Sequence, residues 1–328
     1  MSTPDKTEKE TDALSSFKKN HAIVALPKLK IVHVSDLHFV AHRLLRWFER
    51  FKGLRGHDQD TLSALENAVE VLKPDLLFVS GDQSTWGDRT SLRAAQTFIF
   101  KLAERVQINP KHVFWVPGNH DILLHYYFGN RFLRRNHDVV FGNTEHCRHL
   151  NVSSYRVGVF LFDSTLDRRK QRSALWPLVG SRGKISRPSF NEFNSAANDV
   201  ATGGCHIKIA VVHHHPLPIP YKADGEVGLE LTTMSNGGTF VAHMQESGIH
   251  LVLHGHEHYP YSCRYSFDPN QRDIIIVAAG TASQRETQQN SFNYLEIVPN
   301  ARIVVRKYNY TETGFRRDSA KVFTFNSK

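Results

Sequence analysis

The sequence predicts a layered α/β fold, on three observations. Short apolar, β-branched runs alternate with segments of helical period in the order β-α-β-α-β; a loop-rich middle, a second β-α-β stretch and a tail of short strands follow. The principal apolar runs each stop at a polar group of His, Asp or Asn. No run approaches the roughly 18 apolar residues that a membrane span needs, so the apolar residues are available for a core.

The elements follow in order. Residues 1–27 are polar and lack the apolar centre of a secretory signal, which predicts a mobile tail. LKIVHVS (29–35) is a buried strand. DTLSALENAVEVLK (60–73) carries apolar residues at helical spacing and ends before Pro74. DLLFVS (75–80) is a second strand, 89–106 a helix, and HVFWV (112–116) a third strand. From 123 to 150 the chain reads as irregular, aromatic and basic. YRVGVFLFDST (155–165) is compatible with a tight hairpin or one bent strand, and a loop rich in Arg and Lys runs over 168–187. A helix is expected from Ser189, with Glu192 completing a capping box. HIKIAVV (206–212) is a strand, 214–237 a Pro- and Gly-bearing loop, 238–247 a helix stopped by Gly248, and IHLVLHG (249–255) another strand. Short strands at IIIVAAG, SFNYLEIV and ARIVVRKYNY close the chain. The expected organisation is one domain over 28–310, with 123–150 and 168–187 as insertions near a cleft, and a C-terminal extension over 311–328.

Lys and Arg exceed Asp and Glu by 41 to 32, giving a net charge of +9 with histidines neutral. That balance suits phosphoesters, nucleic acid or acidic lipid heads, and equally a solvated positive surface. Cys147, Cys205 and Cys263 are far apart and form no CxxC pair, which argues against a thiolate zinc site and for a reducing, cytoplasmic setting.

The strand ends carry the chemistry. VSDLHF supplies Asp36 and His38, VSGDQ supplies Asp82, and VPGNHD supplies Asn119, His120 and Asp121. VVHHHP supplies His213, His214 and His215, and LHGHEH supplies His254, His256 and His258. In open α/β sheets, ligands bind outside the carboxyl ends of strands, so five such groups read as one convergent site. Each group alone is an ordinary turn or surface loop; the conjunction is what points to a divalent metal centre. HGHEHYP is not HExxH, GSRGKIS lacks the first glycine of a P-loop, and no GxSxG is present.

Asp36-x-His38, Gly81-Asp82, Gly118-Asn119-His120-Asp121, His213 before a Pro-rich turn and Gly255-His256-x-His258 together resemble the calcineurin-like metallophosphoesterases, over about residues 30–260. The HHHPLPIP loop is most similar to class III cyclic nucleotide phosphodiesterases and related phosphodiesterases. The resemblance implies a four-layer α-β-β-α sandwich of two packed mixed sheets flanked by helices. It implies two metal ions, Mn, Fe or Zn, about 3.5–4 Å apart, with a hydroxide bridging them as the attacking group. The first ion would take Asp36, His38, Asp82 and His258; the second would take Asp82, Asn119, His213 and His256, with Asp82 shared. Spacing does not choose among His213, His214 and His215; the resemblance implies His213, with His214 as the fallback. It gives His120 the role of general acid. Asp121 is expected to orient His120 or cap a turn, and His254 to be a strand residue or supporting donor. His256 and His258, two apart, would point to opposite faces of an extended segment, so the turn after Gly255 must be irregular. Glu257 between them is expected to face away as a solvated spacer.

The implied activity is hydrolysis of a small phosphodiester such as a cyclic nucleotide or glycerophosphodiester. Two alternatives share the motif set. One is a nuclease, for which the basic, aromatic segments 42–57, 131–149 and 168–187 would track a backbone. The other is a scaffold of the same fold without chemistry. A protein phosphatase is disfavoured, because GDQSTWGDR replaces GDxxDRG. Arg43, Arg46, Arg131, Arg134 and Arg135 are candidates for reading a second anionic group, or are plain surface charges. Substrate-binding residues, the native metals and the oligomeric state do not follow from the sequence.

Overall fold

The computed structural model describes residues 27–41, 56–124, 135–142, 146–165, 182–218, 233–266, 268, 270–285, 289–299 and 302–324. Residues 1–26 of the predicted tail, Arg43, Arg46, Arg131, Arg134 and most of 168–187 lie outside these residues.

Twelve strands among the described residues form two six-stranded sheets. In the first, β1 (Leu29–Val34), β2 (Leu76–Val79) and β3 (Val113–Trp115) run parallel. On the other side of β1, β10 (Ser291–Val298), β11 (Arg302–Thr311) and β12 (Gly314–Thr324) add antiparallel. In the second, β5 (Tyr155–Leu161), β6 (Ile207–Val211), β7 (Leu251–His254) and β9 (Ile274–Ala278) are parallel. Its antiparallel edges are β4 (Cys147–Val152) and β8 (Tyr261–Tyr265).

Strand side chains alternate between faces, and here both faces are apolar. Ile31, Leu76 and Phe78 of the first sheet meet Val159, Ile209, Leu253 and Val277 of the second in one buried layer. The alternate residues Val32, Leu77 and Val79 face outward onto Leu62, Leu65 and Val69 of α1 (Gln59–Leu72) and Ile99 of α2 (Arg89–Arg105). On the other side Phe160, Ala210 and Val252 pack against Phe190 and Phe193 of α4 (Arg187–Ala197) and Phe240 of α6 (Gly237–Glu246). The short helices α3 (Asn136–Phe141) and α5 (Val200–Gly203) are the remaining α-helices among the described residues. Helix, sheet, sheet, helix is the predicted four-layer sandwich. Phe truncation in such a layer costs about 3–5 kcal/mol, so the packing that sets the sheets' spacing is strongly held.

The helices begin where side chains satisfy their free N–H groups. Asp58 accepts from Thr61 N at 2.9 Å to start α1, and Asp88 from Ser91 N at 2.9 Å to start α2. α4 corrects the sequence reading: Ser186, not Ser189, is its cap, and Pro188 sits in its first turn, where a missing N–H costs nothing. The capping box with Glu192 does not form there. Of the two readings for residues 155–165, the internal hairpin does not form: the stretch holds one strand, β5, which pairs back onto β4 through a turn at Ser153, whose φ is 53°. The stretch 123–150, read as irregular, therefore contains α3 and most of β4 among its described residues. Within 311–328, β12 is an edge strand paired along the length of β11. No helix of the described residues is long and apolar enough to cross a membrane.

Candidate metal centre

The loops after β1 and β2 run side by side because the parallel ladder continues past the strand ends. Ser80 N donates to Val34 O at 3.0 Å, Asp36 N to Gly81 O at 3.1 Å, and His38 N to Asp82 O at 3.0 Å. Non-glycine residues with positive φ include Asp36 (55°), His38 (51°), Asp82 (50°), His256 (83°) and His258 (55°). Each left-handed residue costs roughly 1–3 kcal/mol and persists only where its surroundings over-determine it. Strain concentrated on five predicted ligands is the backbone signature of a site. Those turns also bring His256 and His258 into one cleft, as the irregular loop after Gly255 requires. Close approach removes β-carbons: one at Gly118 would overlap Asp82 Oδ1, and one at Gly81 would overlap the His213 ring.

Two donor groups result. Asp36, His38 and His258 form one, with His258 Nε2 at 3.2 Å from Asp36 Oδ1 and 3.3 Å from His38 Nε2. Asp82, His213 and His256 form the other. His213 Nε2 lies 3.3 Å from Asp82 Oδ2, 3.0 Å from Asn119 Oδ1 and 3.2 Å from His256 Nδ1. His256 and His258 thus fall in different groups, and His256 N donates to Asp36 Oδ2 at 3.2 Å between them.

This set fits metal ions on its own chemistry. His213 Nδ1–H donates to Ser80 O at 2.7 Å, which leaves the Nε2 lone pair facing two more acceptors, Asp82 Oδ2 and Asn119 Oδ1. Acceptors at that spacing need a cation among them. Without a metal, a proton serves: burial alone lowers the His213 pKa, but the Asp82 carboxylate overrides it and pushes the imidazole up to about 9. Burial favours neutral Asp82 and Asp36, yet His213 and His120 hold Asp82, and His258 holds Asp36, below the ordinary carboxylate range. Burial, aided by His120, pushes His38 down to about 3, a neutral ligand form.

The remaining predicted residues surround this cluster. His120 N donates to Asp82 Oδ1 at 2.8 Å, its Nδ1 lies 3.0 Å from Thr85 O, and its ring is 5.0 Å from that of His38. The Asp121 carboxylate accepts from Gly118 N (2.9 Å) and Ser84 N (2.8 Å), and burial raises its pKa to about 6. It ties the third loop to the second. His214 is buried, with Nδ1 at 2.7 Å from Ser164 Oγ and its ring 4.4 Å from that of His256. His254, pushed well below 6.5 by burial, faces Tyr261 OH at 3.1 Å. Glu257 does not face away. Its side chain is only 14% exposed, and Oε1 lies 4.0 Å from His256 Nε2, in a third group with His215. The left-handed turn at His256 breaks the alternation on which the outward expectation rested.

Arg135 is not a loose surface charge either: Asp138 and Asp163 both sit 2.6 Å from its guanidinium, and it is buried. Asp163 and Ser164 stand at the end of β5, a sixth polar strand end that the same rule would have flagged in LFDST.

A profile of the calcineurin-like phosphoesterases matches residues 29–260. The chain belongs to this family. No curated protein matches it. Among solved structures, this calcineurin-like phosphoesterase is similar in fold to a dimetal phosphatase from Danio rerio, with TM-score 0.57 and 11% identity, covering 92% of this chain and 100% of that one. It is also similar to a purple acid phosphatase from yellow lupin (Lupinus luteus), with TM-score 0.56 and 10% identity, covering 91% of this chain and 54% of that longer one.

Proposed function

We propose that this calcineurin-like phosphoesterase is a two-metal phosphohydrolase acting on a small phosphodiester, such as a cyclic nucleotide or glycerophosphodiester. The observation that carries the reading is the convergence of two buried donor groups from two sheets on one cleft. Asp36, His38 and His258 would hold one ion, Asn119, His213 and His256 the other, and Asp82 would be shared. Mixed carboxylate, amide and imidazole donors suit Mn²⁺, Fe or Zn²⁺. When bound, such ions supply Lewis-acid polarisation of a phosphoryl oxygen and acidify water.

The rest falls to the chain. Asp82 is held at Oδ1 by the His120 N–H, which aims its other oxygen at His213. Thr85 O takes the Nδ1–H of His120, which fixes the ring and leaves Nε2 to protonate a departing alkoxide. The HHHPLPIP loop supports a diester over a monoester; the phosphatases of similar fold support a monoester as the second reading.

The test is turnover of an aryl phosphodiester against the matching monoester in Mn²⁺. A kcat/KM at least about tenfold higher for the diester is expected, and the reverse order makes the protein a monoesterase. Two bound metals with neither substrate turned over would sink the hydrolase reading and favour a scaffold. His120→Ala should keep both metals and slow turnover about 10²–10⁴-fold, most for poor leaving groups. Equal loss for good and poor leaving groups removes the acid role.

A further inference from the structure

The imidazole of His256 stands between two environments. Its Nδ1 faces the second donor group, 3.2 Å from His213 Nε2. Its Nε2 faces the other way, 4.0 Å from Glu257 Oε1, with the His215 ring stacked alongside at 5.8 Å between centroids and 29° between planes. His215 is itself buried and anchored by Nε2 on Thr233 Oγ1 at 3.1 Å. The nearest ring nitrogen to Glu257 is the one that a ligand imidazole must keep protonated.

We infer that Glu257 is a positioning residue: when the second metal is bound, its carboxylate closes the 4.0 Å gap to accept the Nε2–H of His256 and thereby commits Nδ1 to that metal, with His215 holding the ring plane. The inference rests on the two-metal reading above and concerns only how one ligand is oriented. The neighbouring imidazole has a counterpart device, since His213 gives its Nδ1–H to Ser80 O and so presents Nε2. Of these two ligands of the second group, one is oriented by a backbone carbonyl and the other by a carboxylate. A carboxylate partner raises the basicity of the ligating nitrogen more than a carbonyl does, and losing such a partner typically costs 10–100-fold in metal affinity.

Chelator-competition titration of full-length protein with Zn²⁺, metal counting and melting of the metal-free form give readouts independent of turnover. Glu257→Ala should weaken one of the two Zn²⁺ steps, the one that His213→Ala removes, about 10–100-fold, leave the other step within about twofold, and leave metal-free melting unchanged. Glu257→Gln, whose carbonyl still accepts the N–H, should recover part of that loss. Unchanged affinities in Glu257→Ala, or equal weakening of both steps, overturns the inference while leaving the two-metal reading intact. A third equivalent of Zn²⁺ in the wild type, lost in Glu257→Ala, makes Glu257 a ligand and also overturns it. Wild type that binds no metal fails the underlying reading instead.

Discussion

The two sheets contribute unlike halves of the candidate centre. The first sheet, through the ends of β1, β2 and β3, brings every oxygen donor of the proposed set, Asp36, Asp82 and Asn119, with a single imidazole, His38. The second, through β6 and β7, brings imidazoles only, His213, His256 and His258. Each proposed donor group draws from both sheets. The spacing of the centre is therefore set by the apolar layer between the sheets, where Phe78 and Val211 pack directly beneath their own strand ends. The carboxylates of the proposed set thus sit on one wall, and the other wall offers imidazoles alone.

Breaking that asymmetry from the oxygen side should do most. Asp82→Ala removes the one residue proposed for both ions. It should abolish metal loading at both positions and cut turnover on the order of 10³-fold or more, beyond the 10²–10³ typical of one lost transition-state donor. Normal metal content in that variant would end the shared-carboxylate assignment. From the imidazole side the effect should be half as broad. His258→Ala and His213→Ala should each leave about one ion per chain by elemental analysis, from opposite groups. Loss of both ions in either variant would show that the groups load as one unit.

The smallest effect sharpens the comparison, because each sheet also buries a histidine outside the ligand set. His33 in β1 lies with Nε2 at 2.8 Å from Ser80 Oγ, and burial pushes it down to about 3. His250, just before β7, is pushed down to about 3 by burial and by the guanidinium of Arg272 against its ring. The folded pKa lies below the unfolded value near 6.5. The unfolded chain therefore binds the extra protons first, and stability falls as pH drops below about 6.5 until the folded groups titrate near 3. Each histidine should contribute on the order of 1 kcal/mol per pH unit inside that window. Urea melts of His33→Gln and His250→Gln between pH 7 and 4 check it; a slope unchanged from wild type would remove the residue from the account.

Much of this was legible in the sequence because an apolar strand that stops at a polar residue needs no tertiary information to be noticed. Asp36, Asp82, Asn119 and the histidine groups at 213–215 and 254–258 are visible that way, and the structure brings them to one cleft. The choice among three consecutive histidines was not legible, since it depends on which ring reaches Ser80 O across the sheets. Glu257 was misplaced because alternation assumes extended backbone, and the φ of 83° at His256 belongs to another region. Arg135 reads as surface charge in the sequence because its partner Asp163 lies far along the chain, just past the end of β5. β12 went unread because its outward residues are mostly polar, as edge strands tend to be.

The left-handed turns at Asp36, His38, Asp82, His256 and His258 have a consequence for transplanting the site. Their conformational cost is met by contacts between loops that lie far apart in the chain, such as Asp36 N to Gly81 O and His38 N to Asp82 O. A short peptide copying any one of these loops would relax out of that shape and hold metal only weakly.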